Sequence, residues 1–245
     1  MLGPRGAKVV TFRPLPAPAA RLVCFHHAGA SAQTYAGWPD LLPAGVELCA
    51  VQLPGHGGRS DEPLHYSIEP LVDDLLDGLV GCLDRPFVVF GHSMGTLVAF
   101  EVVRHLRRRG LPLPRHLVAS GCPAPHLGAN TSLSKLEEDV FAEECRRLGL
   151  IPPNLVRSGL LRLLLPALRA DLSVCEDYRY RPGGRLSCPI TVLGGTDDGL
   201  ATPGQLAGWD RHTAATMRLH LLPGGHDFPA TMTADVLGQV RMAFA

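Results

Sequence analysis

The segment Val88–Phe100, VVFGHSMGTLVAF, contains the strongest candidate nucleophile of the chain, Ser93. β-branched and aromatic residues lead into a Gly-x-Ser-x-Gly pentapeptide, and a helical pattern follows it. The two glycines permit a tight turn and close approach of neighbouring backbone. Such a turn presents the serine at the carboxyl edge of a sheet, beside helix N–H groups that favour an oxyanion. The pentapeptide alone is weak evidence, and its strand and helix flanks make Ser93 a candidate.

A serine hydroxyl needs a general base, and the base needs a carboxylate that orients it. Asp197 and Asp198 follow the predicted strand PITVLGG, and His226 follows MRLHLLPGG, where the two glycines give the loop freedom to reach Ser93. The order Ser, Asp, His, each after a strand, is that of α/β-hydrolases. We therefore predict a triad of Ser93, His226 and one of the two aspartates, between which their positions alone do not decide.

The oxyanion hole of such a site uses the N–H after the nucleophile and another from a loop after an early strand. These donors are predicted to be the N–H groups of Met94 and of Ala28, which lies in the small-residue loop CFHHAGAS. The alternative for that loop is a plain turn between a strand and a helix.

Short apolar runs alternate with helical segments, which predicts an α/β fold with a mostly parallel, twisted sheet flanked by helices. The predicted strands are at 21–29, 46–55, 87–91, 116–121, 189–195 and 217–225, and clear helices are at 67–83 and 96–110.

The long stretch between the strands at 116–121 and 189–195 lacks a strand pattern. A helix is predicted at 134–149, with a capping box of Ser134 and Glu137. A leucine-rich helix at 154–180 is predicted to be interrupted at Pro166. We expect one domain over 1–245, with an insertion at about 124–182 that forms a lid over an apolar cavity. The alternative is a helical layer that only packs.

The composition of the chain indicates which partners, cross-links and cellular compartment to expect. Basic and acidic residues number 23 each, so charge does not favour nucleic acid or an anionic membrane as partner. The seven cysteines are scattered without C-x-x-C spacing, which predicts neither a disulfide framework nor a zinc site. No signal peptide or membrane-length apolar run is recognisable, so we expect a cytoplasmic protein. His, Cys and carboxylate residues do not recur at metal-ligand intervals, so we expect no metal site.

Six segments together resemble the type II thioesterases, stand-alone α/β-hydrolases that accompany polyketide synthases and non-ribosomal peptide synthetases. In chain order they are CFHHAGASAQTY, LPGHGGRSDEP, FGHSMGTLVAFEVVRHL, LRADLSVCEDYRY, GGTDDGLATPGQLAGWDRHT and LPGGHDF. They extend from about residue 21 to 240, and LRADLSVCEDYRY is the most diagnostic because generic esterases lack it. The resemblance favours Asp198 over Asp197, because Gly195-x-x-Asp198 has the family spacing.

The resemblance implies a helical lid, Ser93, His226 and Asp198 as the triad, and Ala28 with Met94 as oxyanion donors. It also implies acyl groups thioester-linked to the phosphopantetheine arm of acyl or peptidyl carrier domains as substrates, and an editing role that clears stalled or aberrant units. Phosphopantetheine then belongs to the substrate and is not a cofactor. We expect a monomer.

Two segments depart from the family pattern. The loop His26–Ala30 lacks the usual proline and second glycine, and His56 in PGHGG stands where an arginine is common. Arg157, Arg162, Arg169 or the cluster Arg107–Arg109 are candidates for docking an acidic carrier domain. A chain-releasing thioesterase or cyclase, a small-molecule carboxylesterase and a non-catalytic ligand-binding scaffold are the alternative functions.

Overall fold

A seven-stranded sheet forms the centre of the computed structural model, which describes residues 6–129, 131–151 and 161–244. The strand order is β1-β3-β2-β4-β5-β6-β7, and only the pair β1 and β3 is antiparallel. The strands are β1 Val9–Val10, β2 Ala20–Phe25, β3 Val46–Val51, β4 Phe87–His92, β5 His116–Ser120, β6 Ile190–Gly195 and β7 Met217–Leu222.

Seven α-helices are described, and short 3₁₀ turns link several of the elements. The helices are α1 Ile68–Leu79, α2 Met94–Arg108, α3 Glu138–Arg147, α4 Leu161–Glu176, α5 Pro203–Ala207, α6 Phe228–Thr231 and α7 Thr233–Met242. None of them is both long and apolar enough to cross a membrane.

The predicted strands are present because their apolar residues are covered on both faces. In β2, Val23 and Phe25 join a core with α1 and α2, whereas Leu22 and Cys24 join a second core with α7. Alternate residues of a strand point to opposite faces, so a central strand needs a continuous apolar run. Strand β1 was missed by the sequence analysis because two residues carry no readable period.

The position of β4 in the middle of the sheet determines where Ser93 lies. Strand β4 pairs with β2 on one side and with β5 on the other, and α2 starts immediately after the turn at Ser93. Ser93 is therefore at the centre of the carboxyl edge, where the loops after β2, β6 and β7 also converge.

The predicted capping box of Ser134 and Glu137 is wrong. Helix α3 begins at Glu138, and Ser134 lies in a 3₁₀ turn before it. The backbone N–H and hydroxyl of Ser134 instead donate to the buried carboxylate of Glu176, at 3.1 and 2.5 Å. That carboxylate also accepts from Leu133 N–H and the Thr131 hydroxyl, at 2.6 and 2.9 Å, so it ties this turn to α4.

The predicted interruption at Pro166 is also wrong, because α4 continues through it to Glu176. A proline inside a helix leaves the carbonyl four residues earlier without its usual donor. Here that carbonyl belongs to Arg162, and Arg162 and Pro166 are both exposed, so water can replace the missing donor. The part of the predicted helix at 154–160 lies outside the described residues.

Replacing Glu176 should destabilise the protein measurably. In Glu176→Ala, four donors lose their buried acceptor, and we expect the free energy of unfolding to fall by about 3 kcal/mol. Urea denaturation followed by circular dichroism measures this. Glu143→Ala, at an exposed α3 residue paired with Arg146, is the matched control and should cost less than about 1 kcal/mol. Equal losses in both variants would contradict the anchoring role of Glu176.

Candidate active site

Ser93 occupies a strained turn between β4 and α2. Its φ of 54° and ψ of −125° make it the one non-glycine residue with positive φ among the described residues. Such a conformation is unfavourable for a residue with a side chain, so the surrounding structure must hold it in place. The Ser93 N–H donates to Ser120 O at 2.8 Å, and the Ser93 carbonyl accepts from Thr96 N–H at 2.9 Å.

Gly91 and Gly95 are required because backbone passes directly over both. A Cβ on Gly91 would lie 2.5 Å from Gly95 O and from Thr96 Cα. A Cβ on Gly95 would lie 2.5 Å from His26 O and in contact with Phe25 O. These approaches press the start of α2 against the end of β2, which brings the loop after β2 beside Ser93.

His226 connects Ser93 to Asp198. Its Nε2 is 2.8 Å from Ser93 Oγ, and its Nδ1 is 2.9 Å from Asp198 Oδ2. The other oxygen, Asp198 Oδ1, accepts the N–H groups of Leu200 and Ala201 at 2.8 and 3.2 Å. The Asp198 side chain is fully buried, and these hydrogen bonds fix the orientation of its carboxylate. This arrangement allows His226 to take a proton from the serine while its ring is held by the carboxylate.

The neighbouring Asp197 does not face His226. It is exposed, its N–H donates to Gly224 O at 2.9 Å, and its side chain accepts from the Thr196 hydroxyl at 3.1 Å. The structure thus distinguishes two adjacent aspartates that the residue pattern alone could not.

The two predicted oxyanion donors, the N–H groups of Met94 and Ala28, have no backbone acceptor among the described residues. Met94 is the first residue of α2, so its N–H has no acceptor within the helix. Within the described parts of the chain, the Ala28 N–H has no backbone acceptor either. The next amide, Gly29 N–H, is occupied by a bond to Asp171 Oδ2 at 2.7 Å.

His92 packs behind the pair of Ser93 and His226. Its Nδ1 is 3.0 Å from Ser120 Oγ, and its ring centroid is 5.1 Å from that of His226. Burial, followed by the neighbouring His226 and His27, lowers the pKa of His92 well below its usual range. A neutral His92 places no competing charge beside the imidazolium that would form on His226.

Two cavities border the site. One of about 100 Å³ is reached by Ser93 and His226 and has mainly apolar walls. Its walls come from α2, the loop after β5, and the insertion, with Met94, Leu97, Cys122, Leu133, Leu172, Cys175 and Tyr178 among them. The other, about 860 Å³, lies between the loop after β2, the 3₁₀ turns that follow it and the segment after His226.

All seven cysteines lie within the described residues and are free thiols. Across the described ranges, no group of three or more His, Cys, Asp or Glu side chains is placed to hold a metal ion.

Sequence reasoning did not predict that His56 and Asp171 meet behind the loop after β2. The only signal for Asp171 was an acidic residue on the apolar side of a leucine-rich helix, where it is 3% exposed. A buried carboxylate needs partners, but the sequence does not show which residues supply them.

Adding one methyl group at Gly95 should damage the site. In Gly95→Ala the new Cβ meets the carbonyls of Phe25 and His26, so the start of α2 must move away from β2. We expect a fall in Tm of several degrees and at least a tenfold loss of thioester hydrolysis, measured by calorimetry and with an acyl-pantetheine. Gly238→Ala on α7, where a Cβ meets nothing within 4 Å, is the control and should match the parent protein. Unchanged activity in Gly95→Ala would refute the argument.

Comparison with known proteins agrees with this geometry. A model of the thioesterase domain family matches residues 20–241. LgrE of Brevibacillus parabrevis is 39% identical over 212 residues, which are 84% of this chain and 81% of LgrE. PikA5 of Streptomyces venezuelae, a thioesterase, is 37% identical over 223 residues, covering 90% of this chain and 79% of PikA5. LgrE is named a linear gramicidin dehydrogenase, so the assignment rests on the family model and on the thioesterases.

A solved structure extends the likeness to the whole fold. The type II thioesterase BorB, from the borrelidin biosynthetic cluster, superposes with a TM-score of 0.90 at 32% identity, covering 98% of this chain and 99% of BorB. This confirms the predicted fold class and the resemblance to type II thioesterases. The chain belongs to the thioesterase family, and it is a thioester hydrolase with the α/β-hydrolase fold.

Proposed function

We propose that this chain hydrolyses acyl groups carried as thioesters on the phosphopantetheine arm of acyl or peptidyl carrier domains, and so removes aberrant or stalled units. The observation that carries the proposal is the hydrogen-bonded series Ser93, His226 and Asp198 at the mouth of a small apolar cavity walled by the insertion. The relatives support the carrier-bound substrate, since BorB is a type II thioesterase of a biosynthetic cluster.

In this proposal Ser93 is the nucleophile and His226 the general base. His226 Nε2 takes the Ser93 proton as Oγ attacks the thioester carbonyl, and Asp198 stabilises the resulting imidazolium. The N–H groups of Met94 and Ala28 hold the oxyanion. The tetrahedral intermediate collapses, the C–S bond breaks, and His226 protonates the departing thiolate.

Water completes the reaction by the same route. His226 removes a proton from a water molecule that attacks the acyl-Ser93 ester, and the intermediate releases the acid and returns the proton to Ser93 Oγ. These steps need no cofactor or metal, because the thiol is a good leaving group and phosphopantetheine enters with the substrate. We also propose that the enzyme acts as a monomer.

The cavity at Ser93 is compatible with a short acyl group next to the nucleophile. It has a volume of about 100 Å³ and mainly apolar walls, which suit a group such as acetyl or propionyl. The larger cavity of about 860 Å³ also reaches His226.

The candidate arginines for carrier docking are not equivalent. Arg107–Arg109 lie at the far end of α2, about 20 Å along the helix from Ser93. Arg107 donates to Arg185 O at 2.8 Å. Arg169 donates to the carbonyls of Ser134 and Leu136 and is committed to the fold. Arg157 lies outside the described residues. The exposed Arg162, at the start of α4, is therefore our candidate for contact with an acidic carrier domain.

Ser93→Ala and Asp198→Asn test the triad. We expect Ser93→Ala to lose hydrolysis of an acetyl-pantetheine by several orders of magnitude, and Asp198→Asn by about 10⁴-fold in kcat, since the amide favours the wrong His226 tautomer. Asp197→Asn is the matched control, because its exposed side chain does not touch His226, and its kcat should match the parent. Equal effects at 197 and 198, or full activity in Ser93→Ala, would refute the assignment.

Arg162→Glu tests the docking proposal. We expect KM to rise several-fold for an acyl group on a carrier domain and to stay constant for the same acyl group on pantetheine alone, because only the carrier meets the reversed charge. Arg85→Glu is the control: Arg85 precedes β4, about 26 Å along the strand from Ser93. A uniform change with both substrates would rule out a docking role for Arg162.

A further inference from the structure

One carboxylate of the insertion connects it to the loop after β2. Asp171 of α4 is 3% exposed, and its Oδ2 accepts the Gly29 N–H at 2.7 Å. The same oxygen lies 3.0 Å from His56 Nε2. Asp171 thus joins three segments that are distant in sequence: α4, the loop after β2, and the loop after β3.

The surroundings of His56 determine its protonation state. Its Nδ1 lies 2.8 Å from Pro54 O and its Nε2 lies 3.0 Å from Asp171 Oδ2. A carbonyl and a carboxylate oxygen both accept hydrogen bonds, so both ring nitrogens of His56 must donate. This requires an imidazolium, which pairs with the Asp171 carboxylate in a buried site.

The groups around His56 are compatible with a positive charge on its ring. Burial opposes protonation of His56, but the Asp171 carboxylate outweighs it and raises the pKa of His56. His26, whose ring centroid is 5.3 Å away, bonds through Nδ1 to His27 O at 2.9 Å. Burial and then the adjacent His56 lower the pKa of His26 well below its usual range, so His26 is neutral.

The other charged and titratable groups discussed around His56 and Asp171 lie in the loop after β3, which carries His56, or in the loop after β2, which carries Ala28. Arg59, three residues after His56, is paired with Glu62 and Asp74. His27, next to the Ala28 donor, has its pKa lowered, first by burial. The Asp171 carboxylate is therefore the acidic partner of His56 in this part of the fold.

The pair acts on the amide beside the proposed oxyanion donor. Gly29 follows Ala28 directly, so the bond from Gly29 N–H to Asp171 orients the Ala28 peptide as well. Leu168, one turn before Asp171, packs against Gly29, where an added Cβ would lie 3.1 Å from its Cδ1. Helix α4 thereby determines the position of the loop that carries Ala28.

We propose that Asp171 and His56 are positioning residues, which hold the Ala28 N–H in the oxyanion hole through a buried ion pair between the insertion and the loop after β2. The proposal rests on the proposed function, since it concerns the same oxyanion. Neither residue touches the substrate; each acts through Gly29.

The pair makes the position of the donor dependent on pH. A histidine whose pKa is raised in the folded state keeps its charged interaction at low pH and loses it as the pH rises through that value. Above it, His56 keeps a single proton, so the ion pair with Asp171 is lost and one of the two ring nitrogens no longer donates to its oxygen. We therefore expect kcat to decrease on the alkaline side of the ordinary imidazole range of about 6.5.

The test compares pH profiles of kcat and KM for acetyl-pantetheine in the full-length protein, with Ser93→Ala as the blank for spontaneous hydrolysis. Asp171→Asn should lower kcat at least tenfold with little change in KM, because the neutral amide has no charge to hold His56 as an imidazolium, and the ion pair that fixes Gly29 is lost. His56→Gln should lower kcat and abolish the alkaline decrease.

His56→Arg should have a higher kcat than His56→Gln, close to that of the parent, and should show no alkaline decrease, because arginine stays charged. His56 borders a cavity of about 580 Å³, which leaves space for the longer side chain. Glu176→Gln is the matched control, another buried carboxylate of α4: it should lower Tm but keep the alkaline decrease. An unchanged alkaline decrease in His56→Arg, or a loss in Asp171→Asn confined to Tm, would overturn the proposal.

A second measurement does not depend on activity. In protein labelled with ¹⁵N-histidine, both ring nitrogens of His56, assigned by comparison with His56→Gln, should be protonated at pH 6.5 in the parent and in Ser93→Ala. A neutral His56 at that pH would overturn the ion pair. If the parent protein hydrolyses no faster than Ser93→Ala, the proposed function fails, while this spectrum still decides the state of the pair.

Discussion

The structure depends on close backbone packing around Ser93. The residue keeps a positive φ because β4 pairs with β2 and β5 on its two sides, while the start of α2 packs closely on β4 at Gly91 and on the end of β2 at Gly95. A single steric constraint therefore has two consequences. It presents the serine hydroxyl to His226, and it brings the first amide of α2 beside the loop after β2, where an oxyanion can be bound by both.

The insertion between β5 and β6 is attached to this centre by buried carboxylates of α4. Glu176 binds the turn at Leu133–Lys135, which walls the cavity at Ser93, and Asp171 binds the loop after β2. Carboxylates in apolar surroundings are costly unless they are well bonded, so their partners must come together accurately for the chain to fold. The same bonds that stabilise the insertion thus give the cavity its shape and orient the amides near the nucleophile.

Histidines around the site differ in charge because their partners differ. His92 and His26 are buried next to other rings and are neutral, whereas both nitrogens of His56 meet oxygen acceptors and demand a second proton. Because His92 beside it is neutral, Asp198 is the charged group in contact with the His226 ring. Histidine therefore has three different uses close to the site: packing at His92, anchoring at His56 and proton transfer at His226.

The sequence by itself determined the fold class, the family resemblance and the positions of Ser93, Asp198 and His226, because strand periods and a glycine-flanked serine are local patterns. It did not reveal β1, because two residues carry no readable period. It also did not reveal the path of α4 through Pro166, which depends on exposure, or the true partner of Ser134, a carboxylate 42 residues away. The residues alone also left Asp197 and Asp198 open until the family spacing was considered; in the structure only Asp198 faces His226. The contact of Asp171 with His56 and Gly29 joins residues up to 142 positions apart, and only the packing of α4 onto the sheet edge brings them together.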